Sequence, residues 1–133
     1  MLIALDGLDG VDVEEDFAVG APVAVVEAEF GAAGFEVIGP ATTAEEAVAM
    51  AGEMQPTLAV MDIRLASTRD GIDAARQLYQ EFAIRCIFAT AHDDAHTRGR
   101  AEPYAPLGWL PKPYTMASLV AVVAEAVAVL RRP

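Results

Sequence analysis

From Gly34 onward, short apolar runs alternate with segments in which apolar residues recur every three or four positions. Runs of the first kind fit strands and segments of the second kind fit helices, so the alternation predicts a parallel sheet with crossover helices. FEVIGPA, Phe35 to Ala41, reads as a short strand closed by Gly39-Pro40. Thr43-Ala44-Glu45-Glu46 has the pattern of a capping box, which opens a helix through about Met54 with Ala47, Val48, Met50 and Ala51 as its buried stripe. Gln55-Pro56 ends it. TLAVM, Thr57 to Met61, is a continuous apolar run short enough for a strand covered on both faces, and Asp62 follows it. After a polar loop with Ser67, Thr68, Arg69, Asp70 and Gly71, IDAARQLYQEF carries apolar residues at 72, 75, 78, 79 and 82, a helical period. IRCIFAT, Ile84 to Thr90, is the next strand, followed by a helix from about Asp93 to Ala101 with a weak apolar face. Leu107 to Leu110 is the last strand. SLVAVVAEAVAVL is an apolar final helix whose end is complemented by Arg131 and Arg132.

The first 34 residues carry a less regular pattern. MLIAL reads as a strand, but GLDGVDVEED follows it, with six carboxylates between Asp6 and Asp16. Val19, Val23, Val26, Phe30 and Ala33 share one helical face, which predicts a helix from about Pro22 to Ala33 capped by Gly34. The valines at 23, 25 and 26 fit a strand as well. No internal repeat and no low-complexity linker interrupts the chain.

Composition narrows the function classes. At 133 residues the chain fits one domain, residues 1–133, with a single core. Its 54% apolar content is divided by Glu, Gly or Pro before any stretch reaches the roughly 20 residues needed to span a bilayer. The N-terminus lacks the basic start and cleavage pattern of a secretory signal, and Cys86 is the only cysteine, so the expected setting is the cytoplasm. A formal charge of −11, with no basic cluster larger than Arg131-Arg132, argues against direct nucleic-acid binding and gives no reason to expect a membrane surface as partner.

The chemistry-bearing residues fall at the carboxyl ends of the predicted strands, where open parallel sheets gather their functional groups. Asp62 ends one strand, Thr90 the next, and Lys112, the only lysine, follows the last one within GWLPKPY. A carboxylate, a hydroxyl and an ammonium thus share one edge. With the acids that precede the first helix, such an edge suits a divalent cation and a phosphoryl group. The carboxylate would be the nucleophile, giving an acyl phosphate, while the hydroxyl and the ammonium would hold the phosphoryl oxygens. His92 and His96, four apart, could clasp zinc with Asp93, but lacking a third strong ligand they are read as surface residues.

Four segments together resemble the receiver domain of two-component response regulators: PTLAVMDIRLA around Asp62, DGIDAARQL, IFATAH around Thr90 and LGWLPKPY around Lys112. The resemblance covers about Gly34 to Leu130. It implies an α/β fold, a doubly wound five-stranded parallel sheet with helices on both faces. It also implies that Asp62 is the phosphoacceptor, that Thr90 follows the phosphoryl group, that Lys112 binds it, and that Trp109 is the aromatic switch residue. The Lys112-Pro113 bond would be cis. Mg²⁺ would be held by Asp62, by the backbone carbonyl of Arg64 and by an acid pair at the end of the first strand. VDVEEDF, Val11 to Phe17, makes that pair Glu14 and Glu15, at the cost of placing Asp12 within the strand, where an unpaired charge is expensive to bury. MLIALD offers Asp6 instead but leaves a long loop. VAVVEAEF, Val23 to Phe30, puts Ala28 where a ligand is expected. Glu14 and Glu15 are favoured by their distance along the chain from Asp62.

The resemblance further implies a stand-alone receiver that takes its phosphoryl group from a sensor histidine kinase or a phosphotransferase. It would act on a protein partner, or on a second copy of itself, through the fourth helix, fifth strand and last helix. It would not be an enzyme beyond self-catalysed transfer and autodephosphorylation. An alternative keeps the fold as a degenerate receiver that only binds a partner. A further alternative is an aspartyl-phosphate hydrolase of the haloacid dehalogenase type, which requires a second Asp where Arg64 stands.

Overall fold

The computed structural model describes residues 2–5, 35–39, 41–63, 70–91 and 95–131. Five strands form one sheet: β1 Leu2–Leu5, β2 Phe35–Gly39, β3 Leu58–Asp62, β4 Arg85–Thr90 and β5 Gly108–Pro111, in the order β2-β1-β3-β4-β5. The helices are α1 Ala44–Met54, α2 Gly71–Phe82, α3 Ala95–Ala101 and α4 Met116–Leu130, with a 3₁₀ turn at Glu102–Tyr104.

The apolar runs become the central strands because both of their faces are covered. Along β3, Leu58 and Val60 point to one core while Ala59 and Met61 point to the other. In β4, Ile87 joins the first and Cys86 and Phe88 the second. On one face lie α1 and α2, whose buried Ala44, Ala47, Ala51, Ala74 and Ala75 allow close approach. On the other lies α4, with Met116, Leu119, Val120, Val123, Ala126 and Val127 buried at helical spacing. This is the expected doubly wound α/β architecture.

The caps follow local chemistry. Thr43 accepts the amide of Glu46 at 3.0 Å, as the capping-box pattern requires. The reciprocal bond is offset by one residue, because the Glu46 carboxylate takes the amide of Thr42 at 3.0 Å. Asp70 and Asp73 form a complete box at the head of α2, with bonds of 2.9 and 3.0 Å.

Strand direction departs from expectation at one place. β3, β4 and β5 pair in parallel, but β1 runs antiparallel to both β2 and β3. Leu2–Leu5 of the MLIAL segment therefore fills the slot beside β3 that VDVEEDF was expected to take; residues 11–17 and the expected helix at 22–33 lie outside the described residues. A four-residue strand finds backbone partners on both sides whichever way it runs, and an antiparallel ladder is slightly the stronger per residue.

Candidate functional site

Asp62 is the last residue of β3 and stands opposite Ala89 of β4. The four residues before it are buried, which commits the strand and leaves the carboxylate at the edge, its side chain 41% exposed. Thr90, one residue beyond Ala89, ends β4 and is buried. Lys112 follows β5 directly, and its amide donates to the Thr90 carbonyl at 2.9 Å, which ties the lysine backbone to the β4 edge. The Lys112-Pro113 bond is cis, as the resemblance implied. Lys112 Nζ lies 2.5 Å from Asp62 Oδ2. The ammonium, the carboxylate and the Thr90 strand end are therefore brought together from three adjacent strands.

Two neighbours of this edge escaped the sequence reading. The first is Gly71. Its amide donates to the Ile63 carbonyl at 2.7 Å, and an added Cβ would fall 2.1 Å from the Asp62 carbonyl oxygen. Only a residue without a side chain fits so near that backbone. The segment DGIDAARQL held the signal, an Asp-Gly pair opening a helix with Asp73 at the third helical position. The second is Tyr114. Burial pushes its phenol above the usual tyrosine range, and the charge of Asp62 adds to the effect.

Trp109 is half-buried in β5 and stacks on Phe88 with ring centroids 5.1 Å apart. The Arg98 guanidinium of α3 covers its ring at 4.9 Å. Arg100, on the same helix, donates to both carboxylate oxygens of Asp70 at 2.7 and 3.2 Å and lies 3.6 Å from Asp73. Asp70 is drawn up by burial, but the Arg100 fork and the bonds from the head of α2 outweigh this and hold it below the usual carboxylate range. The same pairing raises Arg100.

Of the expected metal set, Asp62 is described, and its oxygens suit a hard cation. Glu14, Glu15 and Arg64 lie outside the described residues, as do Asp6, His92 and Asp93. Among the described residues no three His, Cys, Asp or Glu side chains gather as a metal site, and His96 is exposed on α3. Also among them, no helix is long and apolar enough to cross a membrane.

A doubly wound sheet with an Asp, a Thr and a Lys at successive strand ends defines a receiver-type fold. The model of the response regulator receiver domain matches residues 13–124, and the chain belongs to that family. The match begins beyond β1 and takes in Glu14 and Glu15. The transcriptional regulatory protein PdtaR of Mycobacterium tuberculosis is 31% identical over 98 residues, covering 74% of this chain and 47% of PdtaR. The phyllosphere-induced regulator PhyR of Methylorubrum extorquens is 37% identical over 94 residues, 70% of this chain and 34% of PhyR. The chain thus spans less than half the length of these two regulators. Among solved structures, the signal receiver domain of a modulated diguanylate cyclase from Desulfovibrio desulfuricans G20 matches with a TM-score of 0.69 at 30% identity, covering 80% of this chain and 84% of that one. Receiver domains of this family act in two-component systems, bind Mg²⁺ at the phosphorylation site and interact with histidine kinases or downstream targets.

Proposed function

We propose that the chain accepts a phosphoryl group on Asp62 from a phosphohistidine of a sensor histidine kinase or phosphotransferase, and that the transfer alters a protein-binding surface formed by α3, β5 and α4. The observation that carries this reading is the Lys112 ammonium set on the Asp62 carboxylate at the sheet edge. In the transfer an Asp62 oxygen bonds to phosphorus as the phosphorus–nitrogen bond breaks, and the departing imidazole keeps the electron pair. Lys112 then faces one phosphoryl oxygen and the Thr90 hydroxyl another, each countering charge that builds in the transition state. Glu14, Glu15, Asp62 and the Arg64 carbonyl would hold Mg²⁺, which when bound neutralises phosphoryl charge. Trp109 passes the change to a protein partner, either a downstream target or a second copy of the chain.

Incubation with acetyl phosphate and Mg²⁺ tests the reading by intact mass. One acid-labile phosphoryl group is expected on the wild type, none on Asp62→Asn, and little when the metal is chelated. A wild-type protein that takes up no phosphate sinks it.

A further inference from the structure

α3 is joined to the rest of the molecule by unusual means. Of its seven residues only Ala101 is buried, so removal of apolar surface from water contributes little to its position. A groove of about 310 Å³ opens beside it, lined by Ile72 and Asp73 of α2, Gly99 and Arg100 of α3, and Tyr104. A methyl group added at Gly99 would meet nothing within 4 Å. Two arginines make the connection instead, Arg98 to Trp109 and Arg100 to Asp70.

Both contacts lead to the Asp62 edge. Asp70 caps α2, and the next residue, Gly71, is pressed against the Asp62 carbonyl and bonded to Ile63, so the backbone at Asp62 and the cap of α2 are in direct contact. Trp109 stacks on Phe88, two residues before Thr90. α3 is therefore held from both flanks of the site by charged groups, Arg98 on Trp109 and Arg100 on Asp70.

We propose that Arg100 is a positioning residue: its fork on Asp70 couples the backbone at Asp62 to α3 and so sets both the resting place of the helix and the response of Trp109 to phosphorylation. The coupling rests on the reading of Asp62 as phosphoryl acceptor; the resting latch does not. Breaking the fork frees α3 while leaving the groups around Asp62 in place.

Amide hydrogen exchange over residues 95–101 and emission from Trp109, the only tryptophan, test this in the full chain. In the unphosphorylated protein, Arg100→Gln is expected to speed α3 exchange up to about fivefold, the range for a partly exposed ion pair. Arg100→Lys, which keeps the charge but lacks the fork, should fall between it and the wild type. Raising salt from about 0.05 to about 0.5 M should move the wild type toward Arg100→Gln, since screening acts on such pairs and needs no variant. After acetyl phosphate treatment, Arg100→Gln should carry phosphate yet lose at least half of the wild-type change in Trp109 emission. Equal α3 exchange in all three proteins and at both salt levels overturns the latch. A full Trp109 response in phosphorylated Arg100→Gln overturns the positioning role. Absence of phosphate from the wild type overturns the acceptor reading and the coupling built on it, with the resting exchange still deciding the latch.

Discussion

α3 and α4 both contribute to the side of the molecule that β5 borders, yet they are held by different forces. α4 buries six apolar residues against Leu58, Val60, Ile87 and Leu110. At roughly 1.5–3 kcal/mol for each large side chain, that face alone fixes the helix, and its position hardly depends on salt or on charge elsewhere. α3 buries one alanine and meets its neighbours through two arginines, Arg98 on Trp109 and Arg100 on Asp70. Contacts of that kind contribute about 1 kcal/mol or less each, weaken with ionic strength, and are lost when a partner group moves. A surface shared between these helices would have a fixed half and an adjustable half. Elements with few buried contacts open first, which is the property a signalling face requires.

The sharpest break between the two should come from truncating their anchors. Leu119→Ala removes a side chain that is 1% exposed and leaves a cavity under α4; a loss of about 2–5 kcal/mol in global stability is expected in urea unfolding. Arg98→Ala in α3 should cost under about 1 kcal/mol in the same measurement while altering Trp109 emission. Comparable losses from the two would erase the distinction.

A smaller effect is expected from Gly71→Ala, at the junction between the α3 side and the Asp62 edge. The new methyl group must displace the Asp62 carbonyl, since 2.1 Å is no distance for two heavy atoms. A cost of about 1–3 kcal/mol follows from forced overpacking, and phosphate uptake from acetyl phosphate should slow with it. Unchanged uptake in a folded variant would show that the Gly71 contact does not position Asp62.

The contrast between the helices also marks what could be read from the chain alone. The final helix was visible as a long apolar run ending in Arg131 and Arg132, and the β3 edge because an apolar run stops at a single acid. GWLPKPY stood out through its lone lysine, whose ammonium lies against the Asp62 carboxylate. The Arg100 pairing with Asp70 joins residues 30 apart, and no local period encodes it. Nor does alternation of apolar residues encode strand direction, so MLIAL could be recognised as a strand but not as one running antiparallel to its neighbours. The offset of Glu46 to Thr42 was hidden by two adjacent threonines with equal capping chemistry.

The mildest test separates the helices by pH. Burial pushes Asp70 up, but Arg100 and the bonds to Asp73 outweigh it and hold the carboxyl below its ordinary value of 3.8. A carboxylate lowered in the folded state contributes stability that is fully present above its unfolded value and is lost as pH falls through the folded one. The α3 latch should therefore be intact from about pH 5 upward and weaken progressively from about 3.8 toward more acid solution. Because Arg100 and Asp70 are each about a third exposed, the change is expected to stay below about 1 kcal/mol. Trp109 emission and α3 exchange in wild type and Arg100→Gln should differ above this window and converge within it, as protonation of Asp70 does the work of the substitution. The α4 amides carry no such pair among the described contacts, and their exchange should be the same in both proteins at every pH where the fold persists. A difference between the two proteins that survives to the acid end would mean that Arg100 holds α3 by packing rather than by charge.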